Sequence, residues 1–246
     1  MSGSDSDDDF QLSASTLAAL AAFRDEQQQL EDRFQKLHDD ADSRFKSGME
    51  AIPEDWQLSQ FWYDDATAED LSHLAKQAAE RSAAAGHPGE IVFLSSPTAY
   101  VKFKELYPDT PAWLLEYDTR FAVYAPEFVH YDYNQPETFS PLEPGSAAVI
   151  VADPPFLSEE CLTKTSATVR ALSRPAGQPN THVVLCTGLV MRPLARELLG
   201  LEMTRWRPGH AKMLSNDFRC YSNFTDTDFG QRTLRGPALP EDEIGD

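Results

Sequence analysis

The sequence predicts an α/β protein built on a seven-stranded, mostly parallel sheet, and three observations predict it. Short apolar runs alternate with helical stretches from about residue 67 onward, a pattern that argues for a parallel sheet covered on both faces. Three consecutive runs end on acids, at Glu116, Asp132 and Asp153. Ligands of an open α/β sheet bind beyond the carboxyl ends of its strands, so these three acids are expected around one crevice. After the last helix the alternation stops, and two strand-like runs follow with no helix between them, as in an antiparallel hairpin.

The elements follow in order. Residues 1–12 are small, acidic and polar and read as a disordered tail. Ser13 or Ser15 then caps a helix that continues to about Phe45, carried by Leu30, Phe34 and Leu37. An aromatic stretch, Q-L-S-Q-F-W-Y at Gln57–Tyr63, reads either as a clasp on the sheet edge or as a lid over a site. Thr67 is expected to cap the next helix, with Asp70 as its capping-box partner and Leu71, Leu74, Ala75 and Ala78 as its apolar stripe, closed by Gly86.

Ile91–Leu94 is the first strand, and Ser96-Pro97 opens a helix bearing Tyr100, Val101 and Leu106, with Pro97 at its first position. Strands are predicted at Ala112–Leu115, Phe128–Tyr131 and Ala147–Ala152. Ser158 caps a helix to about Leu172, with Glu159 and Glu160 favourably placed in its first turn. Val183–Cys186 is the fifth strand, a helix runs from about Val190 to Leu199, and Gly200 ends it. The hairpin uses Leu201–Arg207 and Phe218–Phe224. The strands and helices give five β/α steps, a domain over residues 50–224, a helical extension over 13–49 and a C-terminal tail over 225–246.

Composition narrows the function. The 246 residues carry a net charge of −19, and the body stays acidic without the eight acids near its two ends. Nucleic-acid affinity comes largely from Lys and Arg neutralising phosphates, so the balance disfavours nucleic acid and suits a basic protein partner, or serves solubility alone. No apolar run approaches the roughly 18 residues of a membrane span, and the acidic start MSGSDSDDDF matches no secretory signal. Cys161, Cys186 and Cys220 are far apart, without metal spacing. They point to a reducing, cytoplasmic setting and to neither disulfides nor a metal.

The chemistry concentrates at V-I-V-A-D-P-P-F-L-S-E-E, where a buried strand stops on Asp153-Pro154-Pro155-Phe156. Proline cannot extend a central ladder, and Asp-Pro is common in turns, so a simple strand-ending turn is one reading. The other is an amine site. A carboxylate and a rigid carbonyl would hold N–H groups and aim a nitrogen lone pair, with an aromatic wall excluding water. The loop after the first strand is S-S-P-T-A-Y, with no G-x-G-x-x-G and no P-loop lysine. A pyrophosphate cofactor is therefore disfavoured. A nucleoside cofactor without phosphate, S-adenosylmethionine, fits better, with a carboxylate after the second strand holding its ribose.

Asp-Pro-Pro-Phe after the fourth strand resembles the motif of methyltransferases acting on amino or amide nitrogens. Alone it does not separate lysine from adenine or glutamine. The longer order Q-L-S-Q-F-W-Y, L-E-Y-D-T-R-F, F-V-H-Y-D-Y-N, V-I-V-A-D-P-P-F-L-S-E-E-C-L-x-K-T, V-L-C-T-G and N-D-F-R-C-Y-S-N-F closely resembles one family, over about residues 10–224. It is the protein-lysine N-methyltransferase family that modifies eukaryotic translation elongation factor 1-alpha, once labelled N6-adenine methyltransferases.

The resemblance implies a seven-stranded class I methyltransferase fold of Rossmann-like kind, S-adenosylmethionine as donor and a cytosolic elongation factor as substrate. It implies that Asp153, Pro154, Pro155 and Phe156 position the amine, that Glu116 holds the ribose, and that Asp132, with Tyr133, contacts the adenine. The loop at Ser95 and Ser96 departs from the usual glycine-rich D/E-x-G-x-G, and Gln60, Phe61, Trp62 and Tyr63 are the segment that would compensate. Adenine N6-methylation of nucleic acid and a catalytically silent module that docks on a translation factor are the competing readings.

Overall fold

Asp64 starts the first described helix, α1 (Asp65–Ala84), by accepting a hydrogen bond from the Thr67 N–H at 2.8 Å. A computed structural model describes residues 61–211 and 217–224. The tail over 1–12, the helix expected within 13–49, residues 57–60 of the aromatic stretch and the tail over 225–246 lie outside the described residues. The cap differs from the expectation that Thr67 and Asp70 form a capping box. Thr67 instead accepts from the Gly209 N–H at 2.8 Å, and the Asp70 carboxylate accepts from the Trp206 indole at 3.3 Å. Both side chains are buried against the chain that follows the last helix and so leave the cap to Asp64. Leu71, Leu74, Ala75 and Ala78 form the buried stripe as expected, and Gly86 closes the helix in a left-handed conformation (φ +85°).

Seven strands follow: β1 (Glu90–Leu94), β2 (Trp113–Glu116), β3 (Phe128–His130), β4 (Ala147–Ala152), β5 (His182–Gly188), β6 (Glu202–Met203) and β7 (Phe218–Ser222). Their order across the sheet is β3-β2-β1-β4-β5-β7-β6. The first five are parallel, and β7 runs antiparallel to both β5 and β6. This mixed sheet with helices is the seven-stranded class I methyltransferase, Rossmann-like arrangement. The helices are α2 (Pro97–Leu106), α3 (Glu159–Leu172) and α4 (Arg192–Leu199), the last preceded by a 3-10 turn, Leu189–Met191.

The crossovers are less regular than five β/α steps. The β2–β3 connection carries only a 3-10 helix, Thr119–Tyr124, capped by Asp118. No helix joins β3 to β4, because Pro136, Pro141 and Pro144 interrupt that segment. Phe139 and Leu142 from it are buried and seal one face of the sheet. The first hairpin strand is also shorter than Leu201–Arg207. After Met203 the chain leaves the sheet and folds back towards α1, where Asp64 N–H donates to Gly209 O at 3.1 Å and Ala211 N–H donates to Trp62 O at 2.9 Å.

Core and topology together position the site. All six residues of β4 are buried. Alternate side chains serve the two faces: Val149 and Val151 join Phe93, Tyr100 and Phe103 under α1 and α2, while Ile150 and Ala152 join Leu94, Leu162 and Val169 under α3. From β1 the chain winds outward to β3, then returns to β4 on the other flank of β1. That reversal opens a crevice at the carboxyl ends of β1, β2 and β4.

Candidate active site

At this crevice β4 gives way to Asp153. Its N–H donates to the Leu94 carbonyl at 3.0 Å, so the β1 ladder still fixes its direction. Pro154 and Pro155 have no N–H and end the strand. Pro154 is buried, whereas Phe156 is 40% exposed. The Phe156 ring meets Tyr133 edge-on, with centroids 5.9 Å apart. Ser158 then accepts from the Cys161 N–H at 3.2 Å and starts α3. Strand, rigid turn and capped helix hold the four residues Asp153–Phe156 in one fixed arrangement.

Glu116 ends β2 and is buried. One of its oxygens, Oε1, accepts the Asp118 N–H at 3.0 Å. Burial pushes its carboxyl up to about 7, opposed by that N–H and raised further by the Asp118 charge. Arg120 grips Asp118, with Nη2 to Oδ2 at 2.6 Å. The half-buried Asp153 is likewise pushed up to about 7, chiefly by desolvation. The Tyr63 hydroxyl holds it down and the Glu116 charge lifts it. Two carboxyls on the strands flanking β1 thus share one field and titrate near neutrality.

Tyr63 comes from the aromatic stretch. It forms an antiparallel bridge with His210, and its hydroxyl is buried, beside Asp153 and Cys186, with no formed hydrogen bond. Trp62 packs edge-on against Phe121 at 6.1 Å, and Phe61 is half-buried. Gln60 lies outside the described residues. Residues 62–64 are clasped by 209–211, and Tyr63 lies beside the Asp153 carboxyl.

Ser95 leaves β1 with φ +51°, a left-handed turn usually given to glycine. Its N–H donates to Leu115 O at 2.8 Å. Ser96 follows, buried, and its hydroxyl has no partner. Asp132 lies two residues past β3, where Oδ1 accepts from its own turn, the Asn134 N–H at 2.8 Å. Tyr133 meets the Phe156 ring edge-on and has the Lys164 ammonium 5.6 Å from its ring centroid.

Tyr63, expected among the cofactor contacts, also lies beside the Asp153 carboxyl, a pairing that no local sequence signal carries. Cys186, expected at the end of the fifth strand, lies within β5 (His182–Gly188). It sits beside Tyr63, and its thiol is pushed up by its hydrogen-bonded neighbour Cys220 and by burial. Among the described residues no group of His, Cys, Asp and Glu is placed to hold a metal ion, and no helix is long and apolar enough to cross a membrane. The arrangement brings a half-buried carboxyl, a buried phenolic hydroxyl and an exposed aromatic ring to one crevice, which can receive a small N–H donor.

Comparison with known proteins bears on what that donor is. The model of a family described as probable N6-adenine methyltransferase matches residues 54–226. EEF1A lysine methyltransferase 1 of Mus musculus is 43% identical over 226 residues, covering 91% of this chain and 96% of that protein. The Homo sapiens protein of the same name is 42% identical over the same length and shares. A protein-lysine N-methyltransferase of Caenorhabditis elegans is 42% identical over 227 residues, 90% of this chain and 97% of its own.

Proposed function

The chain belongs to this family of protein-lysine N-methyltransferases, and from that premise we propose that it transfers methyl groups from S-adenosylmethionine to a lysine of translation elongation factor 1-alpha. The observation that carries the reading is the Asp153 carboxyl, held by the β1 ladder at the exit of the central strand with rigid Pro154-Pro155 and Phe156 behind it.

The residues present fit a nucleoside cofactor without phosphate. Glu116 is buried with one oxygen committed to a backbone N–H, and the other would accept from ribose hydroxyls. The unpartnered Ser96 hydroxyl and the left-handed turn at Ser95 would line the amino-acid end. Asp132 and Tyr133 would contact the adenine, and Phe61, Trp62, Tyr63 and Gln60 would cover the bound molecule. S-adenosylmethionine, when bound, supplies a methyl group made electrophilic by a positive sulfur, so the protein mainly positions and desolvates.

The substrate amine is handled by this chain's own groups. Asp153 and the Pro154 carbonyl accept its N–H bonds and turn its lone pair towards the cofactor side of the crevice. Phe156 walls the lysine stem and excludes water. A lysine must arrive neutral or lose a proton here. Desolvation lowers its proton affinity, while a nearby carboxylate raises it. Asp153 accepts on both oxygens only when ionised, and burial pushes its carboxyl up to about 7.

The protein works in the cytoplasm, where a translation factor meets it and where its three buried, unpaired cysteines stay reduced. The net charge of −19 supports a basic protein substrate over a phosphate backbone. Labelled S-adenosylmethionine added to a lysate lacking the enzyme tests the reading. One nuclease-resistant band of elongation-factor size is expected; label that disappears with nuclease would move the assignment to adenine.

A further inference from the structure

The large apolar side chains left exposed among the described residues are not scattered. They are Leu106, Tyr117, Phe156, Leu189 and Val190. All but Leu106 stand at the carboxyl edge of the sheet, and Leu106, at the end of the antiparallel helix α2, stands at the opposite edge. Tyr117 turns onto His130, with ring centroids 5.3 Å apart, on the Glu116 side of the crevice. The other three form a rim on the Asp153 side.

Packing joins that rim. Gly188 lies so close to Leu157 that an added Cβ would sit 3.0 Å from its side chain, so the exit of β5 leans on the Asp153–Leu157 turn. The rim is also held from behind. Leu189 N–H donates to Asp217 O at 2.7 Å, and the Tyr221 hydroxyl donates to Gly188 O at 3.3 Å. On this rigid support Phe156 is 40%, Leu189 36% and Val190 73% exposed. Single exposed apolar residues are ordinary. A fixed group of them beside a site, where few other large apolar groups of the described residues are exposed, marks an interaction surface.

We infer that Phe156, Leu189 and Val190 form the surface on which the folded protein substrate docks, seating an apolar side chain that neighbours the target lysine on a basic surface. The inference rests on the lysine methyltransferase reading. A lysine has only a four-carbon stem. When its amine reaches Asp153, the backbone that carries it must press on the crevice mouth, and the rim is that mouth. Charge points the same way: the net charge is −19, and exposed Glu159 opens α3 three residues beyond Phe156. Burying the rim on the partner would contribute the apolar centre that productive interfaces need, with the acids as its rim.

The test uses the full chain with purified elongation factor 1-alpha. Val190→Ser and Leu189→Ser together should raise KM for the folded factor about 10-fold, a typical loss for central interface anchors, and leave kcat and the calorimetric affinity for S-adenosylmethionine unchanged. Val190→Lys should weaken it further by setting a cation against a basic surface. Leu106→Ser should change nothing. An unchanged KM in both rim variants would overturn the inference, and so would a cofactor affinity that falls along with it. Should the wild type methylate a different protein of a lysate, the substrate assignment fails while the rim is read on that protein in the same way. Label confined to nucleic acid would overturn both.

Discussion

Tyr63 and Asp153 face each other inside the crevice, the hydroxyl buried and without a formed hydrogen bond, the carboxyl lifted to about 7. The hydroxyl comes from the segment clasped by residues 209–211 and the carboxyl from the exit of the central strand. A donor next to a carboxylate favours its ionised form. Tyr63→Phe should therefore raise the Asp153 proton affinity and move the acid limb of the pH–rate profile, near 7 in the wild type, upward. It should lower kcat at pH 7, where fewer molecules then carry the ionised carboxylate, and leave it little changed at pH 9. Stopped-time methylation assays between pH 6 and 9 read both effects; an unmoved limb would remove Tyr63 from the amine site.

Asp153→Ala should abolish methyl transfer while leaving cofactor binding largely intact. The loss should be about 100-fold or more, as for removal of a preorganised polar group from a reacting centre. Glu116→Ala should do the reverse first, weakening cofactor affinity about 10-fold or more through a lost charge-assisted hydrogen bond. Calorimetric titration of both variants separates the two roles, and normal methylation by Asp153→Ala would sink the assignment.

The raised carboxyls also set a pH dependence of stability. In the folded protein Glu116 and Asp153 hold their protons to about pH 7, whereas in the unfolded chain they release them near 4. Their contribution to stability is therefore full below the unfolded value and is lost as pH rises through the folded one. Glu116→Gln should leave the cofactor-free protein's Tm nearly unchanged at pH 4.5 and raise it at pH 8, by about 2–4 °C for each kcal/mol recovered. Thermal melts at the two pH values check this; equal shifts at both would contradict the titration.

Gly209 is needed for lack of space. A Cβ there would lie 2.2 Å from the Asp64 Oδ2 atom, so Asp64 would have to swing away from the Thr67 N–H that it caps. Gly209→Ala should cost about 1 kcal/mol, the typical worth of an N-cap. Asp64→Ala should cost a similar amount, and the two together little more than either. Denaturant melts of the three variants decide, and full additivity would show that the clash and the cap are independent.

Much of this was legible in the residues. β4 and α3 were readable to the residue because an all-apolar run stops on two prolines and Ser158 sits at a helix start. The acids at Glu116 and Asp153 were readable as strand ends. What could not be read was long-range. Nothing local says that Thr67 spends its hydroxyl on Gly209, that Asp70 turns to Trp206, or that Tyr63 lies against Asp153. Those pairings form only when the chain after α4 folds back on the start of α1. The β3–β4 segment carries no helix, as its three prolines dictate, so a count of five β/α steps overstates the regularity of the crossovers.

The central claim is that Asp153 serves methyl transfer to a lysine of elongation factor 1-alpha. Purified factor from cells lacking the enzyme, incubated with S-adenosylmethionine and either the wild-type chain or Asp153→Ala, tests it most directly when its peptides are read by mass spectrometry. The account predicts a methyl-mass increase on one lysine-bearing peptide with the wild type and none with the variant. An unmodified factor with the wild type, or equal modification by both, would contradict it.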